Sequence, residues 1–327
     1  MDDRALLQRL IEGPASGDLL ARAAGQTRAA VWKRIEALRQ AGVPIEAVAG
    51  RGYRLGAPLD LLDEAAIRAV LPVPMTSRLG MLEVAWSVDS TNTRLLEAPV
   101  PADGAHVLLA ERQLRGRGRR GRPWQSPLGA NLYLSVSRAF DGGLARLGGL
   151  SLVAGLAVAE ALHSLGFTVA GLKWPNDLVV DDGAVLRKLG GLLVEGSGEA
   201  AGPVRAVIGI GLNVCMPDTA AASIDQPWID LATLAPPPSR NVLAGTVLAR
   251  LLPMLDAFDR DGLAPFLPRW AAFDRLQGRD IDLHLADGIH AAHAVGLAAD
   301  GALRVRMADG SERSLHAGEV SVRRADA

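Results

Sequence analysis

The stretch QLRGRGRRGRPW, residues 113–124, decides what kind of sheet this chain builds. Gly116, Gly118 and Gly121 spell G-x-G-x-x-G, a dinucleotide-binding pattern that would announce a doubly wound parallel sheet. That pattern works where the glycine turn opens directly into a helix. Here Arg122-Pro123-Trp124-Gln125-Ser126-Pro127 follows, so the dinucleotide reading is rejected. What remains is a loop whose glycines allow close backbone approach. Arg115, Arg117, Arg119, Arg120 and Arg122 crowd into eight of its residues. Such a run repels itself and has no apolar face to bury. It needs an anionic partner, and forked guanidinium donors suit phosphate or carboxylate.

Working outward, LEVAWSV (82–88), HVLLAERQ (106–113), NLYLSVS (131–137) and VRAVIGIGLNV (204–214) read as strands. GGLSLVAGLAVAEALHSLGF (148–167) and NVLAGTVLARLLPMLDAFDR (241–260) read as long buried helices. From about Asp60 to Trp270 strands and helices do not alternate regularly, which predicts a mixed α+β sheet. From Leu276 on, Asp287-Gly288, Asp300-Gly301 and Asp309-Gly310 read as hairpin turns between short strands such as DIDLHL and LRVRM. That is a small β-barrel or sandwich.

Residues 4–55 form a unit of their own. Leu6, Leu7, Leu10 and Ile11 have helical spacing up to Gly13-Pro14, and Ser16 can cap a second short helix. Thr27 can cap a third, striped by Val31, Ile35 and Leu38, before two strand-like pieces around Ala49-Gly50-Arg51-Gly52. This order describes a winged helix-turn-helix. Between Arg22 and Arg54 seven basic residues face only Glu36 and Glu46, the local charge a phosphate-facing surface requires. The third helix would enter the major groove, with Gln26, Thr27 and Arg28 near base edges and Lys33, Arg34 and Arg51 adding charge. A helical unit that only packs on its neighbour is the bland alternative. Gly56-Ala57-Pro58 reads as the linker.

The whole chain has 327 residues and a formal net charge of −1, too neutral to coat nucleic acid all over. One cysteine, Cys215, allows no internal disulfide and suits a reducing compartment; its apolar company suggests packing rather than nucleophilicity. The N-terminus lacks the basic-then-apolar order of a secretory signal. Leu147 to Ala159 falls short of the roughly 20 residues of a membrane span. A cytoplasmic protein with no membrane partner is expected.

Three further clusters carry chemistry. DSTN (89–92) ends a strand and opens a helix, where Ser90 or Thr91 can cap or meet a polar ligand group. In KWPNDLVV (173–180), Trp174-Pro175 predicts an extended path, with Asn176 and Asp177 at a strand end or turn; Asp177 can be a cap. In RKLGGLLVEG (187–196), Lys188 leads into a buried strand, either reaching solvent or standing beside a reacting phosphate or carboxylate. His290 and His293 would face opposite sides of a strand, so no metal site is expected.

Taken in order, DSTN, GRGRRGR, NLYLSV, KWPND, RKLGGLLVE and GIGLN resemble the bacterial biotin–protein ligases, and the winged helix in front resembles their bifunctional form, also the biotin-operon repressor. The resemblance covers essentially the whole length. It implies three parts: residues 1–57 for DNA, 58–273 for a mixed-sheet ligase domain, and 274–327 for a small SH3-like β-barrel. It implies ATP, with Mg²⁺ as its counter-ion, and biotin as substrates, with no tightly bound cofactor. Biotin's carboxylate would attack the α-phosphate to give biotinyl-5′-adenylate. A lysine of a biotin carboxyl carrier protein would then take the biotinyl group. Lys188 and Arg119 would be catalytic. Ser90, Thr91, Asn92, Gln113, Gly116 and Arg117 match biotin contacts, joined by Arg119 and Lys188. Arg119, Arg122, Trp124, Asn176, Asp177, Asn213 and Trp228 match the nucleotide side, with Asp177 near Mg²⁺ and Trp228 on adenine. Operator DNA and an adenylate-dependent homodimer complete the expected partners.

Some residues depart from the family pattern: the long segment Leu178–Leu186 with its Asp181-Asp182-Gly183 tip, Pro123 and Gln125 in the loop, and Trp32 in the DNA-reading helix. Competing readings are a ligase without operator binding, a ligand-sensing regulator with an inactive core, and a lipoate-attaching enzyme. The intact loop and Lys188 oppose the second, and KWPND with GRGRRGR opposes the third.

Overall fold

A computed structural model describes residues 2–198, 203–285, 288–316 and 321–324, the last four by backbone alone. The first unit holds α1 (Asp3–Glu12), α2 (Gly17–Ala24), α3 (Arg28–Gln40) and the antiparallel pair β1 (Ile45–Val48) and β2 (Gly52–Leu55). Asp2, Ser16 and Thr27 cap the three helices through their side chains, each accepting from the backbone N–H three residues on. Leu6, Leu7, Leu10, Leu20, Val31, Ile35 and Leu38 close a small core. Leu128 of the central domain inserts into it, and its N–H donates to the Ala41 carbonyl at 2.8 Å.

The central domain opens with α4 (Glu64–Val70), α5 (Val73–Thr76), β3 (Leu79–Ala85), α6 (Thr91–Glu97) and β4 (Ala105–Ala110). It continues through β5 (Leu132–Phe140), α7 (Leu150–Ser164), β6 (Ala170–Lys173), β7 (Asp177–Asp181), β8 (Leu186–Gly198) and β9 (Val204–Leu212). The helices α8 (Asp218–Ala221), α9 (Leu231–Leu234), α10 (Arg240–Asp261) and α11 (Leu267–Ala271) finish it. The seven strands run β3-β4-β5-β9-β8-β7-β6, with only β3 and β4 parallel, so the sheet is mixed as expected. Val107 and Leu109 of β4 join the main core with α7 and α10, while Leu108 and Ala110 meet Leu95 of α6. Burial on both faces explains the unbroken apolar run. The stretches Leu144–Ser164, a 3-10 turn followed by α7, and Arg240–Asp261, at 21 and 22 residues, reach the length and apolarity of a membrane span. More than half of each is buried inside the protein. Asp181-Asp182-Gly183 is a hairpin tip, where Asp182 accepts from Ala184 and Val185.

The C-terminal sheet adds β10 (Asp280–Leu285), β11 (Gly288–Leu297), β12 (Leu303–Met307), β13 (Glu312–Leu315) and β14 (Ser321–Arg324), all antiparallel in the order β13-β12-β11-β10-β14. Asp300 and Asp309 turn their hairpins by accepting from Ala302 and Ser311; Asp287 of the first turn lies outside the described residues. His293 pairs with Asp280 at 2.9 Å. Trp174 crosses from the central domain and donates to the Gly301 carbonyl at 3.0 Å.

Asp274 sits where the two domains join. Its Oδ1 accepts from the Leu276 N–H at 2.8 Å, and its Oδ2 is buried without a hydrogen-bond partner. Burial pushes its carboxyl up to about 6 from 3.8, against the charges of Arg275 and Arg279. A raised carboxyl pKa means the folded state is favoured most below pH 3.8, and that advantage is lost as pH climbs through 6. Asp274→Asn keeps the acceptor and removes the charge. It is expected to be near neutral at pH 4 and to stabilise by ~1–2 kcal/mol at pH 8, after allowance for screening. Urea unfolding at the two pH values checks this; equal effects at both would overturn it.

Candidate active site

Strand alternation builds the floor. On β9 Ile208, Ile210 and Leu212 point into the main core, which leaves Gly209 and Gly211 on the other face beside Val207. Gly191 and Leu193 of β8 pair with Gly211 and Gly209, and Tyr133 and Ser135 of β5 pair with them on the other side. A glycine strip is therefore carved into the sheet. Trp124 fills part of it: a Cβ at Gly211 would lie 2.6 Å from the indole. The cleft above measures about 920 Å³, within the usual range for small-molecule sites.

Lys188 enters from a bulge. Leu178 pairs with Gly190 but Val179 with Lys188, so Leu189 is the extra residue that re-aims the lysine. Its Nζ lies 2.8 Å from Asp177 Oδ1 and 5.6 Å from the Trp124 ring centroid. Its backbone is clamped, with the N–H donating to Pro227 and the carbonyl accepting from Ile229 at 3.0 Å. Asn213 Nδ2 reaches the carbonyls of Lys188 and Ile229 at 3.3 and 3.1 Å, so this asparagine fastens the lysine to the segment carrying Trp228. Trp174–Pro175, a cis bond, does not run extended as expected. The chain turns back between β6 and β7, so Asn176 lies at the turn and Asp177 at the strand end, as the sequence suggested, and both line the cleft.

The arginine loop folds on itself. Arg117 bridges to Pro123, Gly118 N–H donates to the Arg122 carbonyl, and Trp124 N–H donates to the Gly116 carbonyl. Arg120 takes a left-handed conformation, φ 55°, unusual for a residue with a side chain. Arg115 leans on Asp89 at 3.5 Å and Arg117 on Glu195 at 2.8 Å. Arg119 crosses the cleft to Asn176 Oδ1 at 3.1 Å. Burial, and then the charge of Arg120, push its guanidinium below the usual arginine range. Arg122 is exposed on the rim.

Ser90 caps α6 by accepting from the Thr93 N–H at 3.4 Å. The Thr91 N–H and hydroxyl both donate to Gln113 Oε1, at 2.9 and 3.1 Å. Asn92 is engaged at both ends of its amide, by Ser135 Oγ and by Glu195 and Leu193. It therefore supports the cleft wall rather than offering open donors to a ligand. Ser90, Thr91, Asn92, Gln113, Arg117, Arg119, Arg122, Trp124, Asn176, Asp177, Lys188, Asn213 and Trp228 all line this one cleft. Gly116 is packed beneath the loop, where a Cβ would lie 2.7 Å from Ser126 Oγ. Glu195, Ser135, Gly191, Gly209 and Gly211 are the residues that sequence reasoning missed; the G-I-G-L alternation was the available signal. Burial and the Asp230 charge push the Cys215 thiol up, in keeping with a packed rather than reactive thiol.

On the winged helix, Arg28 is exposed beside Asp18 at 3.3 Å, and Lys33 and Arg51 are exposed. Two expected DNA contacts are otherwise engaged, and a third is turned inward. Thr27 Oγ1 accepts from Ala30 N–H as a cap, and Gln26 Oε1 is buried without a hydrogen-bond partner. Arg34 is held at 2.5 Å by Asp3 of α1, since its place on α3 faces that helix.

The chain matches the biotin/lipoate A/B protein ligase family over residues 84–213, an HTH domain over 3–54 and the biotin protein ligase C-terminal domain over 278–323. It is 38% identical to the bifunctional ligase/repressor BirA of Escherichia coli (strain K12) across 95% of this chain and 94% of that protein. With the protein of the same name from Bacillus subtilis (strain 168) identity is 28% across 91% of each. Among solved structures, the biotin protein ligase from Aquifex aeolicus in complex with biotin and ATP superposes with a TM-score of 0.62 at 28% identity, over 75% of this chain and 99% of that one. The likeness to these relatives runs over nearly the full length, helix-turn-helix included, and the chain belongs to the biotin protein ligases of the bifunctional ligase/repressor type.

Proposed function

We propose that this chain activates biotin with ATP to biotinyl-5′-adenylate and transfers it to a lysine of a biotin carboxyl carrier protein. We propose also that it represses biotin-synthesis genes through its winged helix. The observation that carries the ligase reading is Lys188, held 2.8 Å from Asp177 under a loop whose Arg119 reaches across to Asn176. Two anions must meet here, a carboxylate and a triphosphate. Lys188 and Arg119 neutralise charge as the carboxylate oxygen bonds to the α-phosphorus and pyrophosphate leaves. Asp177 holds the Lys188 side chain in place until substrates arrive. The glycine floor admits a flat ring, Trp124 and Trp228 supply aromatic walls, and the loop shields the mixed anhydride from water. The carrier lysine then attacks the acyl carbon and AMP leaves.

Magnesium fits the donor set. Asp177, one of three aspartates that line the cleft and the one beside Lys188, would hold it alongside the nucleotide's own oxygens, the usual manner of Mg²⁺ binding. The ion would neutralise triphosphate charge. Three functional parts, 1–57, 58–273 and 274–327, are supported by the three family models. We place the protein in the cytoplasm, which its lone cysteine suits.

Mass spectrometry of a carrier domain incubated with the protein, ATP, Mg²⁺ and biotin tests the ligase. One added biotinyl group is expected and none with lipoate; the reverse would point to a lipoate-attaching enzyme. For the repressor, an adenylate-loaded homodimer would present two winged helices to a two-part operator. Arg28→Ala and Lys33→Ala are each expected to weaken DNA binding and to flatten its log–log salt dependence by about 1.8, roughly 0.9 for each of the two protomers. Unchanged slopes would remove those side chains from the phosphate contacts.

A further inference from the structure

The arginine loop must open for substrates and stay shut over the adenylate, so its neck needs a hold from outside. Arg117 stands at that neck, bridged to Pro123. Its Nη2 donates to both oxygens of Glu195, at 2.8 and 3.1 Å. The same carboxylate accepts from Asn92 Nδ2 at 2.8 Å. Asn92 Oδ1 lies 2.6 Å from the Ser135 hydroxyl, which also lies 2.7 Å from the Thr91 hydroxyl. Thr91 donates to Gln113, the residue that begins the loop. The connections run in a chain, Arg117–Glu195–Asn92–Ser135–Thr91–Gln113, binding the loop's start and neck to α6 and to the sheet. Glu195 is its only carboxylate, and it carries both the loop and the helix. By alternation from Gly191 and Leu193, Glu195 shares the cleft face of β8.

We propose that Glu195 is a positioning residue for ligation: through Arg117 it holds the arginine loop closed over the acyl-adenylate, and through Asn92 it keeps α6 in register with that loop. It acts through other side chains and touches no reacting atom. The proposal rests on the ligase reading above.

The test loads full-length protein with biotin and ATP, removes free substrates, and follows adenylate escape and biotin on bystander lysines without a carrier. Glu195→Gln keeps an acceptor for Asn92 and loses the charge facing Arg117. Its pyrophosphate release is expected within about three-fold of wild type, while escape rises about three- to ten-fold, the modest effect of a part-exposed pair. Arg117→Gln should raise escape equally, and the double variant should leak no more than either single one, because one contact is lost once. Unchanged escape in Glu195→Gln, or additive effects in the double variant, would overturn the latch. Should Glu195→Gln fold poorly by circular dichroism, Glu195→Asp, which keeps the charge but shortens the reach to Arg117, takes its place; unchanged escape there overturns the latch too. A wild type that releases no pyrophosphate would defeat the ligase reading instead.

Discussion

Lys188→Ala is expected to lower the rate of adenylate formation by roughly 10²–10³-fold with little loss of fold, the size found when one preorganised electrostatic group is removed from a reacting centre. The lysine is largely covered, its backbone is clamped by Pro227, Ile229 and Asn213, and its ammonium is aimed by a bulge. Its removal takes away a cation that costs nothing to reorganise when charge develops. It also leaves Asp177 without its partner, an anion beside the place where two anions must meet. Lys188→Arg should not rescue. A planar guanidinium spreads its charge over a fork and does not reproduce the compact point charge that the lysine presents. Biotin- and ATP-dependent pyrophosphate release measures both variants; an Ala variant within three-fold of wild type would remove Lys188 from the chemistry.

The second large effect lies away from the cleft. Arg240, at the start of α10, is 2% exposed and pairs with Glu111, which is fully buried, at 2.8 Å. It also bonds Asp60 through its backbone N–H and side chain and reaches the Asn131 carbonyl. Glu111 in turn accepts from the Leu62 N–H at 2.6 Å. This cluster fastens the segment after the winged helix to the central sheet. Arg240→Ala strands the Glu111 charge in the interior and should cost roughly 3–5 kcal/mol of unfolding free energy. Arg240→Met combined with Glu111→Gln should cost much less than Arg240→Ala, because no buried charge is left unpaired. Urea unfolding of the full chain compares them; an Ala variant within 1 kcal/mol of wild type would show that water reaches Glu111 unaided.

Much of this was legible in residues 113–124 and their surroundings. Periodicity alone placed the capped helices of the winged unit, since Ser16 and Thr27 act locally on backbone donors a few residues away. The prolines and aromatics after Gly121 ruled out a helix and with it the parallel sheet, as the antiparallel pairing of β4 with β5 bears out. The Asp-Gly hairpins were equally readable where they are described, because an aspartate turns the chain over a span of three residues.

Contacts between distant segments were not legible. A sequence displays the charge of Arg34, Arg115 and Arg117 but not that Asp3, Asp89 and Glu195 meet them. Nor does it show that Asn92 and Asn213 spend their amides on the protein itself. The arginine loop's partner was inferred as an anion, and part of that charge is met by carboxylates from neighbouring segments that hold the loop in place. By itself the sequence determined the elements, their order and the chemistry on offer, because helix caps, turns and strand alternation act over a few residues. Tertiary structure alone decided which donors and acceptors are used up within the fold and which face the cleft, because that depends on strand register and a bulge bringing together residues far apart in the chain, such as Asn92 and Glu195.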